Sequence, residues 1–310
     1  MTENAKKFIP VMLTPFTDNG VIDFNLLTKL TEFYLAAGAK GLFANCLSSE
    51  MFELSDEERI AITEHVVRIS NGKVPVVATG TFARTLHEQT NFIKRIYNTG
   101  IQSVILTSGI LVNEDEPDQV LEDKFYDILN ATDRIPFGLY ECPVPYKRLI
   151  APELLKKFMV TNRLNYFKDT SLDIEQVKQK AAVGIGYDFG LYDAYIVHAV
   201  ESLKSGSAGL SCIQGNFFPE LIVWLCDNFD NNSLQQQVQL VQNFLTNHMD
   251  VMHDIYPTAA KLYLNFRGLD ITGFSRRKTG AITNQQMAKL QKLYKDYANL
   301  ESALSLTSVL

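Results

Sequence analysis

Short runs of apolar and β-branched residues alternate with amphipathic, helix-like stretches along most of the chain. Strands that alternate with helices form parallel sheets, and eight such units are enough to close a sheet into a barrel. The pattern therefore predicts an α/β fold, a (β/α)8 TIM barrel with a C-terminal helical extension. The eight predicted strands are 8–13, 41–45, 74–79, 103–107, 136–140, 165–168, 186–190 and 208–212.

Capping residues mark where several of the intervening helices begin and end. Segment 23–38 starts at Asp23, an N-cap residue, and stops at Gly38, a helix-terminating glycine. Ser55 and Glu58 have the spacing of a capping box, in which each side chain bonds the backbone N–H of the other residue. Prolines also stand where three first helical turns are predicted, at Pro152, Pro219 and Pro257.

The start of the chain argues against an open doubly wound sheet, the main alternative for parallel strands. That fold places a glycine-rich loop, G-x-G-x-x-G, after its first strand, whereas here the strand leads into segment 14–16 (TPF). Beyond the eighth unit the pattern is helical only, in segments 233–254, 257–267 and 284–300. We therefore divide the chain into a catalytic barrel, residues 1–230, and a C-terminal helical extension, residues 231–310.

Composition limits the partners that this chain can have. The 310 residues carry a formal net charge of −6 and no segment is dominated by lysine and arginine, so no nucleic-acid surface is predicted. No apolar run reaches the roughly 18 residues of a membrane span, and the N-terminus lacks the apolar core of a signal peptide. We therefore expect a cytoplasmic protein that binds a small molecule and neither nucleic acid nor membranes.

The cysteines and histidines do not favour a metal site or a catalytic triad. The cysteines have no zinc-binding spacing, and we expect them to be buried and reduced. The histidines all fall in predicted helices, away from strand ends, and no H-E-x-x-H motif is present. These residues are Cys46, Cys142, Cys212, Cys226, His65, His87, His198, His248 and His253.

Lys168 has the most informative position, because it closes a short apolar strand. Catalytic groups of such barrels lie at the carboxyl ends of the strands. Burial there favours the neutral amine, which can attack a ketone and form an imine that serves as an electron sink. The structural alternative is a lysine whose ammonium extends past the strand end into solvent.

Other polar groups at predicted strand ends could serve such a reaction. Tyr140 ends the neighbouring strand, where a phenol can move protons to and from a bound oxygen, although a buried structural tyrosine is the alternative. Ser48 and Ser49, in the loop after the second strand, could hold a carboxylate. Serine and threonine also form turns and cap helices, so these serines and Thr170 have a structural interpretation as well.

Several motifs, in order along the chain, carry a resemblance to a known family. Segment 14–16 (TPF) follows the first strand, and segment 45–59 (NCLSSEMFELSDEER) follows the second. Segment 140–143 (YECP) ends the fifth strand, 167–171 (FKDTS) ends the sixth, and 209–216 (GLSCIQGN) covers the eighth. Over its barrel part the chain thereby resembles the dihydrodipicolinate synthase / N-acetylneuraminate lyase family of pyruvate-dependent class I aldolases.

The resemblance implies roles for the matching residues. Lys168 is implied as the imine-forming lysine and Tyr140 as the proton shuttle. The implied substrate-binding residues are Ser48 and Ser49, which hold the carboxylate of the 2-oxo acid, with Thr170, Gly190 and Ser211 around the pocket. Members of the family are usually homotetramers made from two dimers and need no metal or organic cofactor. We therefore expect a homo-oligomer, a tetramer or a dimer, without a cofactor.

The chain also departs from the family pattern. Leu47 stands where the first of two adjacent hydroxyls is expected, and segment 107–111 lacks the tyrosine that completes the proton relay of the synthases. Pro145 stands where the synthases carry an arginine for the carboxylate of the second substrate. Lys147 or Arg148 is close enough in sequence to substitute, and the sequence does not decide whether either reaches the pocket.

These departures favour a Schiff-base lyase or aldolase that acts on pyruvate or on a 2-keto-3-deoxy sugar acid, by cleaving a carbon–carbon or a carbon–oxygen bond. Two alternatives stay open. One is an authentic dihydrodipicolinate synthase, also called 4-hydroxy-tetrahydrodipicolinate synthase. The other is a non-catalytic member of the family that binds 2-oxo acids.

Overall fold

The computed structural model of the protein describes residues 5–83 and 85–306. Its strands are β1 (Lys7–Phe8), β2 (Leu42–Asn45), β3 (Val76–Thr79), β4 (Ser103–Thr107), β5 (Phe137–Tyr140), β6 (Leu164–Asp169), β7 (Gly190–Asp193) and β8 (Gly209–Leu210). They form one parallel sheet in the order β1-β8-β7-β6-β5-β4-β3-β2. Val11, which follows β1, makes a parallel bridge to Phe43 of β2. The sheet therefore closes, and the predicted (β/α)8 barrel is confirmed.

Helices follow the strands and continue after the last one. They are α1 (Phe24–Ala36), α2 (Asp56–Ser70), α3 (Leu86–Tyr97), α4 (Ser108–Leu111), α5 (Asp118–Ala131), α6 (Pro152–Met159), α7 (Ile174–Val183), α8 (Ala199–Lys204), α9 (Pro219–Asn228), α10 (Gln235–Asn247), α11 (Met249–His253), α12 (Thr258–Phe266) and α13 (Asn284–Leu304). The predicted cap of α1 is confirmed, because the Asp23 carboxylate accepts a hydrogen bond from the Leu26 N–H at 2.9 Å. The capping box of Ser55 and Glu58 is confirmed as well.

Alternating side chains of each strand serve two separate apolar clusters. On β6, Tyr166 belongs to the cluster inside the barrel, whereas Phe167 belongs to the cluster between the barrel and its helices. Successive strand residues point to opposite faces of a sheet. Lys168 therefore points into the barrel and Asp169 points outward, toward the helices.

The seventh strand lies further along the chain than predicted. It begins at Gly190, the residue at which the predicted strand 186–190 ends. Segment 184–188 instead forms turns after α7, and Gly186 has a φ of 89°. A strand cannot continue through that left-handed conformation, so the strand starts only beyond it.

The predicted helix 233–254 is in fact two helices. The first, α10, ends at Asn247, and α11 begins at Met249. Between them, His248 has a ring nitrogen 2.8 Å from the Phe244 carbonyl and another 3.1 Å from the Asp296 carboxylate. The break changes the direction of the chain, and α11 thereby contributes residues to the mouth of the barrel.

Buried ion pairs join the C-terminal helices to the barrel. Arg267, at the end of α12, pairs with Glu220 of α9 at 2.6 Å, and Lys261 of α12 pairs with Glu50 at 2.6 Å. The boundary between barrel and extension near residue 230 stays our proposal. Within residues 5–83 and 85–306, no helix combines the length and the apolar character needed to cross a membrane.

Candidate active site

Tyr140 and Lys168 are direct partners in the pairing of β5 with β6. Both side chains point into the barrel and are buried. The Lys168 Nζ lies 4.5 Å from the centre of the Tyr140 ring and 5.9 Å from the centre of the Phe43 ring. The interpretation of Lys168 as a lysine that extends into solvent is therefore wrong, because only 4% of its surface is exposed.

Lys168 differs from the other two buried lysines in having no carboxylate partner among the described residues. Lys180 contacts Glu141 and Asp169 at 2.7 and 2.8 Å, and Lys261 contacts Glu50 at 2.6 Å. Burial lowers the pKa of Lys168, because an ammonium group loses its hydration there without gaining a counterion. Lys168 is therefore the buried lysine best able to present a neutral amine.

The Tyr140 phenol keeps its proton in this environment. Burial raises its pKa well above the ordinary value, and the neighbouring Cys142 and Cys46 raise it further. Cys142 lies at the same strand end, and burial raises the pKa of its thiol too. The amine of Lys168 thus faces a neutral phenol that can donate a proton.

A cavity of about 510 Å³ opens at the carboxyl ends of the strands, with Lys168 and Tyr140 in its wall. Thr170 and Ser211, which the sequence also points to, line the same cavity. Its other lining residues come from the loops after β5 to β8 and from the C-terminal extension. They are Pro143, Lys147, Leu172, Ala194, Tyr195, Ile213, Met249, Asp250, His253, Tyr256 and Arg277.

The two serines of segment 47–49 have different surroundings. The Ser49 hydroxyl lies 2.7 Å from the Met12 carbonyl and 3.0 Å from the Ala44 carbonyl, and it accepts the Cys46 N–H at 3.1 Å. Its hydrogen-bonding capacity is used within the fold, so Ser49 is not placed to hold a substrate carboxylate. Ser48 instead lies beside the phenol of Tyr256, which lines the cavity.

A chain of hydrogen bonds behind Ser48 holds Tyr256 in place. The Asn216 amide group donates to the Val11 carbonyl at 2.9 Å and to the Tyr256 phenol oxygen at 2.5 Å, while its carbonyl accepts from Tyr34 at 2.5 Å. The Val11 carbonyl can only accept, which sets the orientation of the amide. The Tyr256 phenol oxygen therefore accepts from Asn216, and its position beside Ser48 is fixed.

Thr170 and Ser211 line the cavity with hydroxyls that are already bonded. The Thr170 hydroxyl donates to the backbone carbonyl of Glu141, and its N–H donates to the Glu141 carboxylate at 3.2 Å. The Ser211 hydroxyl donates to the Ile9 carbonyl at 2.9 Å and accepts from the Tyr166 phenol at 3.2 Å. Both hydroxyls brace the wall of the cavity.

An ionic cluster lies on the outer side of the same two strands. The Lys180 ammonium, from α7, bridges Glu141 and Asp169, the residues that follow Tyr140 and Lys168. Burial and the nearby Asp169 raise the pKa of Glu141 to about 7 despite the charge of Lys180. Burial would lower the pKa of Lys180, but the two carboxylates raise it overall. The cluster therefore holds the ends of β5 and β6 together on the side of the sheet that faces the helices.

Gly190 does not line the cavity, contrary to the role predicted for it. It begins β7 and pairs with Tyr166, two residues before Lys168 on the neighbouring strand. A Cβ atom at this position would lie 2.9 Å from the ring of Tyr192, which stacks on Tyr166 with 4.8 Å between ring centres. Glycine is needed here for that stacking inside the barrel.

The end of β7 carries residues that sequence reasoning missed. His198 lies 2.9 Å from the Asp193 carboxylate, so the expectation that all histidines are away from strand ends is wrong. Burial would lower the pKa of His198, but its bond to Asp193 and the charge of Asp193 raise it overall. Tyr195 packs edge-on against this histidine and lines the cavity, as does His253. Among the described residues, no group of three or more His, Cys, Asp or Glu side chains is placed to hold a metal ion.

Of the two basic residues after Pro145, only Lys147 reaches the cavity. Its ammonium donates to the Thr170 carbonyl at 2.8 Å. Arg148 instead pairs with Asp118 at 2.7 Å and donates to the Glu114 carbonyl at 3.2 Å. The question left open by the sequence is therefore answered in favour of Lys147.

The chain is similar in sequence to known synthases. A 4-hydroxy-tetrahydrodipicolinate synthase of Bacillus subtilis (strain 168) is 25% identical over 261 residues, 84% of this chain and 88% of the relative. The corresponding synthase of Oceanobacillus iheyensis is 22% identical over 294 residues, 95% of this chain and 98% of the relative.

Solved structures share the fold at lower identity. A dihydrodipicolinate synthase of Bacillus anthracis superposes with a TM-score of 0.84 at 21% identity, covering 95% of this chain and 99% of the other. YagE, a prophage protein of E. coli K12 solved in complex with pyruvate, gives a TM-score of 0.84 at 19% identity, with 94% and 98% covered. A family model described as the dihydrodipicolinate synthetase family matches residues 4–297. The chain therefore belongs to the dihydrodipicolinate synthetase family, whose members are class I aldolases and lyases.

Proposed function

We propose that the protein is a Schiff-base lyase or aldolase that acts on pyruvate or on a 2-keto-3-deoxy sugar acid through Lys168. One observation carries the proposal. Lys168 is buried in the cavity without a carboxylate partner among the described residues, and its amine lies against the ring of Tyr140. An amine that is neutral and beside a proton donor is what imine formation requires.

In the first step the neutral Lys168 amine attacks the ketone carbon of the 2-oxo acid. The Tyr140 phenol donates one proton to the former ketone oxygen, the attacking amine gives up a second, and the oxygen leaves as water when the imine forms. The resulting iminium is positively charged, and it stabilises the phenolate of Tyr140 that its own formation leaves behind. The raised pKa of Tyr140 is thus offset at the moment when the phenolate is needed.

The iminium then serves as the electron sink for bond cleavage. Tyr140, as phenolate, takes the proton of the hydroxyl on the fourth carbon, the bond between the third and fourth carbons breaks, and an aldehyde leaves. The electron pair forms an enamine, which regains a proton on the third carbon from Tyr140. Hydrolysis of the imine releases pyruvate and restores the Lys168 amine. The Ser48 hydroxyl donates to the substrate carboxylate throughout.

A panel of 2-keto-3-deoxy sugar acids, scored by the release of pyruvate, tests this proposal. We expect at least one substrate to be cleaved by the wild-type protein, and cleavage to be lost in Lys168→Met. Tyr140→Phe keeps the ring but removes the proton donor, so its turnover should fall by roughly 10²–10⁴-fold. Binding of 2-oxo acids that survives in Lys168→Met, without any cleavage by the wild type, would instead favour a non-catalytic binding protein.

The second candidate is an authentic 4-hydroxy-tetrahydrodipicolinate synthase. It is favoured by the relatives of that name, two of which match 84% and 95% of this chain. Pro145, in place of the arginine expected in synthases, and the lack of a tyrosine in segment 107–111 argue against it. A coupled assay with pyruvate and aspartate semialdehyde separates the two candidates, because only the synthase consumes both.

We also propose that the chain assembles into a homo-oligomer, a tetramer or a dimer. The family resemblance supports this assembly, although one structural neighbour is described as a monomeric dihydrodipicolinate synthase variant. Light scattering at several protein concentrations measures the assembled mass directly.

A further inference from the structure

Two basic side chains of the cavity wall lack a carboxylate partner among the residues that the structure describes. Lys147 comes from the loop after β5, Arg277 comes from the segment between α12 and α13, and both line the cavity that contains Lys168. Within residues 5–83 and 85–306, no carboxylate lies at ion-pair distance from either cation. A charge in a cleft that has no internal partner is available to a ligand.

Their immediate neighbours in sequence behave differently. Arg148 pairs with Asp118 at 2.7 Å, outside the cavity. Arg276 pairs with both carboxylate oxygens of Glu58, at 2.7 and 2.8 Å. At each of these two places one of two adjacent basic residues is neutralised at the surface, and the other is left charged in the cavity wall.

Lys147 is held beside the end of β6, the strand that carries Lys168. Its ammonium uses one of three N–H bonds on the Thr170 carbonyl, at 2.8 Å. Thr170 is only two residues beyond Lys168, a span of at most about 7 Å along the chain. The remaining N–H bonds of Lys147 therefore lie within reach of a small molecule attached to Lys168.

Arg277 is fixed to the loop that carries Ser48. Its backbone N–H donates to the Glu50 carboxylate at 2.9 Å, and Glu50 is also bound by Lys261 at 2.6 Å. Because Glu50 is two residues beyond Ser48, the backbone of Arg277 is tied to the wall where the 2-oxo acid carboxylate is proposed to bind. The guanidinium offers a planar set of donors that suits carboxylate and phosphate groups.

Two acidic groups lie near these cations. Asp250 lines the same cavity. Glu53 feels the charge of Arg277, which lowers its pKa, although burial and Glu50 raise that pKa overall. Two cations against one carboxylate in the cavity wall leave the region positive.

We propose that Lys147 and Arg277 form an anion subsite that receives a carboxylate or phosphate at the end of the substrate remote from its 2-oxo acid group. The inference rests on the proposed function, because it assumes that Lys168 holds the 2-oxo end. It assigns the substrate to 2-oxo acids with a terminal anionic group, in preference to those that end in a hydroxymethyl group.

Borohydride trapping of matched 2-oxo acids tests the subsite. Dicarboxylates (2-oxoglutarate, 2-oxoadipate and 2-oxopimelate) are compared with monocarboxylic 2-oxo acids of equal carbon number, and the concentration that half-saturates trapping on Lys168 is measured by mass spectrometry. Wild-type protein should prefer one dicarboxylate by roughly tenfold or more, the value of one charge-assisted bond. A 2-keto-3-deoxy sugar acid with and without a terminal phosphate then distinguishes phosphate from carboxylate recognition.

Four variants test whether Lys147 and Arg277 cause the preference for dicarboxylates. It should fall to near unity in Lys147→Met and in Arg277→Leu, and it should persist in the matched controls Arg148→Gln and Arg276→Gln. Trapping of the monocarboxylic acids in each variant shows that the site still forms. If the wild type traps pyruvate but prefers no anion-terminated acid over its matched partner, the subsite is refuted. If it traps no 2-oxo acid at all, the proposed function itself fails.

Discussion

Lys168 and Asp169, consecutive residues at the end of β6, face opposite sides of the barrel wall. Lys168 points into the cavity without a counterion, whereas Asp169 points outward and contacts Lys180 at 2.8 Å. The alternation of a strand thereby keeps the nearest carboxylate in the sequence away from the reactive amine. Lys168 is left without an ion-pair partner among the described residues for two reasons. Strand geometry separates it from Asp169, and Asp169 pairs with Lys180 instead.

The unpaired amine should reduce the stability of the fold. Burial lowers the pKa of Lys168 from the ordinary value of 10.5, so the folded protein releases this proton at lower pH than the unfolded chain does. We expect Lys168→Met to raise the free energy of unfolding by on the order of 1–3 kcal/mol at neutral pH. The gain should shrink as pH rises from the lowered pKa toward 10.5, since the wild type becomes more stable through that window. Urea unfolding of both proteins across pH measures this, and a less stable variant would contradict it.

Lys180 should be the lysine whose loss damages the fold most. Lys180→Met leaves Glu141 and Asp169 close together and buried, without their shared cation. Removing one partner of a buried ionic cluster typically costs about 3–5 kcal/mol. The control is Lys178→Met on the same helix, where the side chain is exposed and its ion pairs are screened by solvent. Equal unfolding midpoints for the two variants would refute the role of the cluster in holding the ends of β5 and β6 together.

Glu141 should make stability depend on pH in the direction opposite to an ordinary ion-paired carboxylate. Its pKa is raised from 4.5 to about 7, so between these values the folded protein holds a proton that the unfolded chain has lost. Its contribution to stability is therefore fully present below about pH 4.5 and is lost as pH rises through about 7. The difference in unfolding free energy between the wild type and Glu141→Gln should decline across this window. A difference that is flat or rises with pH would count against it.

Alanine substitutions of the two neighbouring serines should have different effects on stability and on ligand binding. Ser49→Ala leaves a buried Cys46 N–H without its acceptor, and it should destabilise the fold by about 1–3 kcal/mol. Ser48→Ala should weaken the binding of 2-oxo acids while it changes stability less, because the Ser48 hydroxyl, unlike that of Ser49, bonds no backbone group among the described residues. Unfolding free energies and the pyruvate concentration that half-saturates trapping distinguish the two, and identical effects would contradict the assignment.

The central pair of the site could be predicted from sequence because it depends on local rules. Tyr140 and Lys168 each end a short apolar run, and the carboxyl ends of parallel strands meet at one end of a barrel. The seventh strand was misplaced because Gly186 and Gly190 are both compatible with a turn, and only the left-handed φ of Gly186 separates turn from strand. Tyr195 and His198 were missed as a consequence.

The outer part of the site could not be predicted in this way. Tyr256 and Arg277 reach the cavity because the C-terminal helices pack against the barrel through pairs such as Lys261 with Glu50, which are far apart in sequence. No periodicity or short motif encodes such contacts. The different roles of Ser48 and Ser49 also depend on groups that are distant in sequence. The Ser49 hydroxyl bonds the Met12 carbonyl, whereas Ser48 lies beside Tyr256.

The proposed chemistry depends on a covalent bond between Lys168 and a 2-oxo acid. The direct measurement is reduction with borohydride in the presence of pyruvate, followed by digestion and mass spectrometry of the peptides. We predict the mass of a reduced pyruvyl group on the peptide that contains Lys168, and its absence in Lys168→Met. No adduct with any 2-oxo acid tested, or an adduct on Lys147 or another lysine instead, would contradict the account.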